Sequence, residues 1–101
     1  LRVDSSNSKA IYSVLSGTAP NRRFGIRYEA TTYSGGLPVN FEIVFHETTN
    51  NIDIIYGTMG NTQINYTVGI QNHNQTEWIQ YSCNTQNTVA AGDKISFTYN
   101  L

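Results

Sequence analysis

Val39-Asn40-Phe41-Glu42-Ile43-Val44-Phe45-His46-Glu47-Thr48-Thr49-Asn50-Asn51-Ile52-Asp53-Ile54-Ile55-Tyr56 is the stretch that decides the fold class. Val39, Phe41, Ile43 and Phe45 alternate with Asn40, Glu42 and His46, and Ile52, Ile54 and Tyr56 resume the alternation after a polar interruption. Successive side chains of an extended strand point to opposite faces, so a period of two marks a strand with one face in a core and one in water. Thr48–Asn51 supplies turn formers between the runs, and the stretch reads as a β-hairpin. Placing Phe45 opposite Ile54 and Ile43 opposite Tyr56 collects four apolar side chains on one face. The same register sets His46 opposite Asp53 and Val44 opposite Ile55 on the other face.

The pattern extends outward in both directions. Phe24, Ile26, Tyr28 and Ala30 alternate with Gly25, Arg27 and Glu29; Ile64, Tyr66, Val68 and Ile70 repeat the period, as do Ile95, Phe97 and Tyr99. Residues 10–16 and 77–83 are weaker strands of the same kind. Gly17–Asn21, Ser34–Pro38 and the Gly-rich Gly57–Asn61 separate the runs with turn chemistry. No window carries the i, i+3, i+4, i+7 spacing of a helix. The expectation is an all-β, antiparallel β-sandwich, jelly-roll or Ig-like in appearance, with about seven strands and no significant helix. A chain of 101 residues has room for one core, so residues 1–101 form a single domain. Leu1–Ser8 enters the first strand without a start signal and the chain stops just after Tyr99, which reads as one module excised from a longer protein.

Composition narrows the function classes. Charged residues are 13% of the chain and the net charge is −1, so polarity is carried by amides and hydroxyls, with twelve Asn and twelve Thr. Nucleic-acid binding needs clustered cations, and only Arg22 and Arg23 stand together. Membrane insertion is not expected, since no apolar run approaches the roughly 20 residues of a spanning helix. The single cysteine, Cys83, closes no disulfide within the chain and reads as a small buried hydrophobe, or as one half of a pair with a cysteine outside the fragment.

Catalysis finds little material. Three Asp, four Glu and two His are the available acids and bases, and only His46 and Asp53 are paired by local geometry. A triad would need a nucleophile presented to the other imidazole nitrogen in a cleft, and no residue pattern supplies one. Glu42, Glu47 and Glu77 do not form a glycosidase pair, because alternation puts Glu42 on a solvated sheet face. No Cys/His cluster or acidic calcium loop is present, and Asn50, Asn51 and Asp53 read as a turn, so no metal or cofactor is expected. The chain is read as a non-enzyme.

Aromatics give the strongest binding signal. Ile79 shares parity with Tyr81 and Cys83, which read as the core face, and this leaves Trp78 on the polar face or at the strand edge. A flat indole beside Asn72-His73-Asn74-Gln75 suits a glycan site, the ring taking sugar C–H faces and the amides taking hydroxyls. It equally suits a protein hot spot, and a Trp sealing the end of the sandwich is the plain alternative. With antiparallel strands, loops 17–22, 48–51 and 72–76 gather at one end. The expected ligand-binding residues are therefore Arg22, Asn50, Asn51, His73, Asn74, Gln75 and Trp78. Loops 31–38, 57–64 and 84–93 fall at the other end, with Tyr33 and Met59. Val44 and Ile55 are apolar on a face meant for solvent, covered either by this chain or by another copy in a homo-oligomer.

Several motifs stand in a recognisable order: Gly17-Thr18-Ala19-Pro20-Asn21-Arg22-Arg23-Phe24, the strand 39–45, Asn50–Gly57, Thr67-Val68-Gly69-Ile70-Gln71-Asn72, and Gln80-Tyr81-Ser82-Cys83-Asn84. In this order the chain resembles a nidogen-like β-sandwich module of large bacterial secreted and surface proteins, over roughly residues 12–99. Such modules usually carry an upstream strand that would lie before Leu1. The resemblance implies a secreted or cell-surface location and an adhesive role in a fibre or adhesin, with no catalytic residues to carry over. The expected function is recognition of a glycan or protein on another cell or matrix. The alternative is a structural spacer or oligomerising fibre domain without a ligand of its own.

Overall fold

The computed structural model describes residues 1, 3, 9–32, 35–60, 65–86 and 90–98. Seven strands follow in order: β1 (Ala10–Ser16), β2 (Arg23–Thr31), β3 (Pro38–His46), β4 (Ile52–Met59), β5 (Asn65–Gln71), β6 (Trp78–Gln86) and β7 (Lys94–Phe97). β1-β2-β3-β4-β7 form one antiparallel sheet and β5-β6 a second, so the all-β, two-sheet expectation holds. Tyr33, Ile64 and Tyr99, named above for loop and strand roles, lie outside the described residues, as does the side chain of Cys83.

Alternation organises the large sheet into rows. Ile26, Ile43, Ile54 and Ile95 face one another across four strands, as do Phe24, Phe45, Ile52 and Phe97. Tyr28, Phe41 and Tyr56 form a third row, in which the Tyr28 and Phe41 rings stack at 4.8 Å between centroids. These rows make the inner face. β5 covers it with Val68 and Ile70, and the buried cluster is Val39, Tyr56, Met59, Val68 and Phe97. An apolar cavity of about 430 Å³ remains between the sheets, lined by Phe41, Ile43, Ile54 and Tyr56 on one side and Val68 on the other.

The cover is partial for a geometric reason. Strands lie about 4.8 Å apart, so five span roughly 19 Å and two only about 5 Å. β5 packs over the part of the face around Val39, Tyr56, Met59 and Phe97, whereas Ile11 and Leu15 of β1 are 55% and 62% exposed, and Phe24 of β2 and Phe45 near the end of β3 are also exposed. The inner face is thus core on one flank and open on the other.

Two features depart from the sequence reading. In the β3–β4 hairpin, Phe45 faces Ile52, Ile43 faces Ile54 and Val44 faces Asp53, a register two residues away from the one inferred by parity. A shift of two leaves every side chain on its expected face. The cause is the loop: His46 N–H donates to the Asn51 carbonyl (3.0 Å) and Asn50 N–H to the His46 carbonyl (3.1 Å), so Glu47–Asn50 lie outside the ladder. Asn50 takes φ 58° and Thr48 φ 73° to close it. The second departure is at Gly57, read above as the start of a loop. β4 continues to Met59, with an extra residue between the pairs Phe41–Tyr56 and Val39–Met59. That bulge reverses parity, so Met59 follows Tyr56 into the core and Thr58 stays outside.

Candidate functional site

The candidate residues fall on two separate constructions. The first joins the β1–β2 and β3–β4 loops. Arg22 meets Glu47 in a two-pronged ion pair, Nε to Oε2 at 2.8 Å and Nη2 to Oε1 at 2.7 Å. The backbones are tied as well: Arg22 N–H donates to Glu47 Oε2 (3.0 Å) and Glu47 N–H to the Arg22 carbonyl (2.9 Å). Thr48 Oγ1 donates to the Pro20 carbonyl. Gly17, at φ 83°, makes the close turn possible, since a Cβ there would stand 2.9 Å from the Asn21 carbonyl oxygen. Hydrogen bonds from the Arg22 side chain, then its backbone, hold the Glu47 carboxyl down to about 2 from an ordinary 4.5. Arg22 is raised in turn by the same partner. The guanidinium is therefore already matched to a carboxylate, and Asn50 and Asn51 border this clasp.

The β-branched Thr48 in the left-handed region is a strained position. Its hydroxyl bond to Pro20 and the neighbouring Glu47 contacts hold it there.

The second construction is the β5–β6 hairpin. Asn72 organises its loop: Oδ1 accepts from Thr76 N–H (2.9 Å) and Glu77 N–H (3.3 Å), while Nδ2 donates to Thr76 Oγ1 (2.9 Å). Its backbone N–H donates to the Glu77 carbonyl (2.9 Å) and its carbonyl accepts from Gln75 N–H (3.1 Å). Gln75 adopts φ 60°. An amide side chain that satisfies several loop donors at once is a frequent way to fix such a turn. His73, Asn74 and Gln75 are left exposed at the tip.

Trp78 opens β6 and is 67% exposed, so it does not seal the sandwich. It pairs with Gln71, and Gly69 pairs with Gln80. Cross-strand partners share a face. Gln71, Gly69, Trp78 and Gln80 therefore form one strip on the side away from Val68 and Ile70, and all four line a shallow cleft of about 400 Å³ that Val68, Ile70 and Ile79 line as well. Gly69 forms its floor. A Cβ there would lie 2.6 Å from the Ile79 carbonyl oxygen, so no larger residue fits without moving β6. The product is an open indole flanked by two amides, each able to donate and accept. Sequence reasoning placed Trp78 and the tip but missed Gly69, Gln71 and Gln80. A glycine in mid-strand, where backbone or ligand approaches closely, was the available signal.

β6 also corrects the expected core face. Ile79 pairs with the half-buried Ile70, yet it is 61% exposed and Tyr81 is exposed too, whereas Ser82 is buried. The register shifts twice between β5 and β6, each time with an extra residue on β6, and simple alternation fails there.

The remaining polar cluster lies on the outer face of the large sheet. His46 Nε2 and Asp53 Oδ2 are 2.8 Å apart, diagonal across β3 and β4 rather than directly opposed. Burial pushes the Asp53 carboxyl up, but hydrogen bonds from Ser96 and His46, with the charges of His46 and Lys94, outweigh it and hold the group below its ordinary value. Ser96 hydrogen-bonds the Asp53 carboxylate in this cluster. Val44 and Ile55 are on this same face, opposite Asp53 and Glu42, with Ile55 exposed. Among the described residues no three His, Cys, Asp or Glu side chains converge as a metal site.

A family model described as NIDO related matches residues 1–99. No curated protein and no solved structure matches the chain.

Proposed function

The chain belongs to the NIDO-related family, and from that premise we propose that it is an extracellular recognition module of a secreted or cell-surface protein, binding a neutral glycan across the outer face of β5–β6. The observation that carries this reading is the exposed Trp78 in line with Gln71, Gly69 and Gln80. An indole face offers a sugar ring an apolar, polarisable platform, and the amides answer its hydroxyls without selecting for charge. His73, Asn74 and Gln75 at the adjoining tip extend the contact. Asn50, Asn51 and Arg22 belong to the clasp on the other sheet, and their part is to hold those loops rather than to select the ligand. The near-neutral chain suits a neutral ligand.

The module works by binding and not by catalysis. Support for this comes from the His46–Asp53 pair, which faces outward on a sheet surface with Ser96 turned to the carboxylate. A glycan array probed with the chain and with Trp78→Ala tests the reading. Neutral oligosaccharide hits that disappear in the variant support it. An array blank for both proteins, with a cell-surface protein recovered by pull-down through Trp78, would replace glycan by protein as the ligand class.

A second reading has its own support. An adhesin or fibre could use this domain as a spacer or oligomerising unit without a ligand, and the open flank of the large sheet favours contact with other chains. A Trp78→Ala variant that leaves adhesion of the parent protein intact would favour it.

A further inference from the structure

We infer that the chain self-associates through β1, two copies pairing antiparallel at this edge to join their five-stranded sheets into one. This goes beyond glycan binding, uses different residues and a different sheet, and stands or falls separately.

Among the described residues β1 ends the sheet order, with β2 on one side only. Every second residue of such a strand turns its N–H and C=O away from the sheet, a ready template for another strand. Proteins blunt these edges with charges, prolines, bulges or short strands. β7 has four residues and carries Lys94, and β6 is bulged twice against β5. β1 has none of these devices. It runs for seven residues, Ala10-Ile11-Tyr12-Ser13-Val14-Leu15-Ser16, contains no charge or proline, and pairs with β2 without a shift. Ile11, Tyr12, Val14 and Leu15 are each more than half exposed, two on either face.

Symmetry selects the occupant and the register. Two copies joined edge to edge in one antiparallel sheet are related by a two-fold axis perpendicular to it, and paired residues then share a face. The paired numbers must therefore sum to an even value. An axis through Ser13 is the one that pairs all seven residues of β1 with β1 of the other copy. It sets Ile11 against Leu15 on the inner face and Tyr12 against Val14 on the outer, with Ser13 facing its own counterpart. Moving the axis to Tyr12 or Val14 pairs Ile11 or Leu15 with Ser13 and leaves the ends unmatched. The strand is thus self-complementary in its apolar order as well as in its backbone. No charge within β1 opposes its approach to a copy of itself. One strand edge and four side chains per copy make a small interface, below the roughly 1,200 Å² of lasting complexes, so the dimer is weak and concentration-dependent.

Analytical ultracentrifugation of the chain up to roughly 1 mM, a range that captures weak dimers, supplies the test. The expected result is a mass rising toward twice that of one chain. Ser13→Lys and Ser13→Glu each place like charges face to face across the axis, and each is expected to weaken association roughly tenfold or more. Mixing the two variants pairs Lys with Glu and restores it. Circular dichroism of each variant confirms that the fold is retained, and because Ser13 is exposed the substitutions are tolerated. A single-chain mass at every concentration overturns the inference. Association unaffected by either charge, or a mixture that stays monomeric while each variant alone is, overturns the β1 pairing.

Discussion

The large sheet and the β5–β6 hairpin obey alternation to different degrees, and the contrast separates scaffold from surface. Across β2, β3, β4 and β7 the Ile row and the Phe24 row stay in register for four strands, and side chains fall where a period of two puts them until the bulge after Tyr56. In the hairpin, β6 carries two extra residues relative to β5 beyond Gln80, so the buried Ser82 and the exposed Tyr81 exchange the places that parity assigns them, while Ile79 keeps its place opposite Ile70 and is still exposed. A regular ladder keeps the faces that alternation assigns, while each bulge exchanges them, carrying Met59 and Ser82 inward and leaving Tyr81 outside. The strip of Trp78, Gln71, Gly69 and Gln80 lies at the regular end of the hairpin, bounded by the shift between Val68 and Gly69.

Substitutions test this division. Phe97→Ala strikes the row under β5 and should cost about 3–5 kcal/mol in urea denaturation. Gly69→Ala brings a Cβ against the Ile79 carbonyl and should cost about 1–3 kcal/mol, with the loss felt as displacement of β6. A neutral result there would mean that the hairpin adjusts freely, and the strip would lose its fixed geometry. Leu15→Ala, on the open flank of the same inner face as Phe97, should change stability by less than about 0.5 kcal/mol. A cost like that of Phe97→Ala would show the flank to be covered.

The smallest effect is electrostatic. Glu47 is lowered to about 2, so the Arg22 clasp contributes fully above the ordinary 4.5 and is lost as pH falls through about 2. Following the Glu47 carboxyl by NMR should give a midpoint near 2, and Arg22→Ala should return it to the ordinary range. Asp53 follows the same sign: its depressed value adds stability above the ordinary 3.8, and that addition fades as pH falls through the folded value. Ser96→Ala should move its midpoint upward.

Much of the scaffold was legible because burial on one face writes a period of two into the chain. That Ile26, Ile43 and Ile54 share one face could be read from parity alone. The register of β3 on β4 could not, since a shift of two residues leaves every face unchanged and only the loop geometry at Thr48 and Asn50 chooses between registers. Met59 and Ser82 escaped for another reason: a bulge is a backbone event that reverses parity without altering composition. Of the candidate site, Trp78 was visible as an aromatic out of step with its apolar neighbours. Gln71 and Gln80 became part of it only through pairing across the hairpin. The grouping of loops 17–22 and 48–51 is realised by Arg22 and Glu47, a contact between residues 25 positions apart that no local pattern announces.

Because Trp78 is the sole tryptophan, indole emission reports on the proposed strip alone. A neutral oligosaccharide taken from the array should shift that emission to shorter wavelength and shield it from acrylamide quenching, and Gln71→Ala should weaken the titration roughly tenfold, the loss of one or two unreplaced hydrogen bonds. An oligosaccharide that binds by calorimetry while the emission and its quenching stay unchanged would contradict the account and place recognition elsewhere on the molecule.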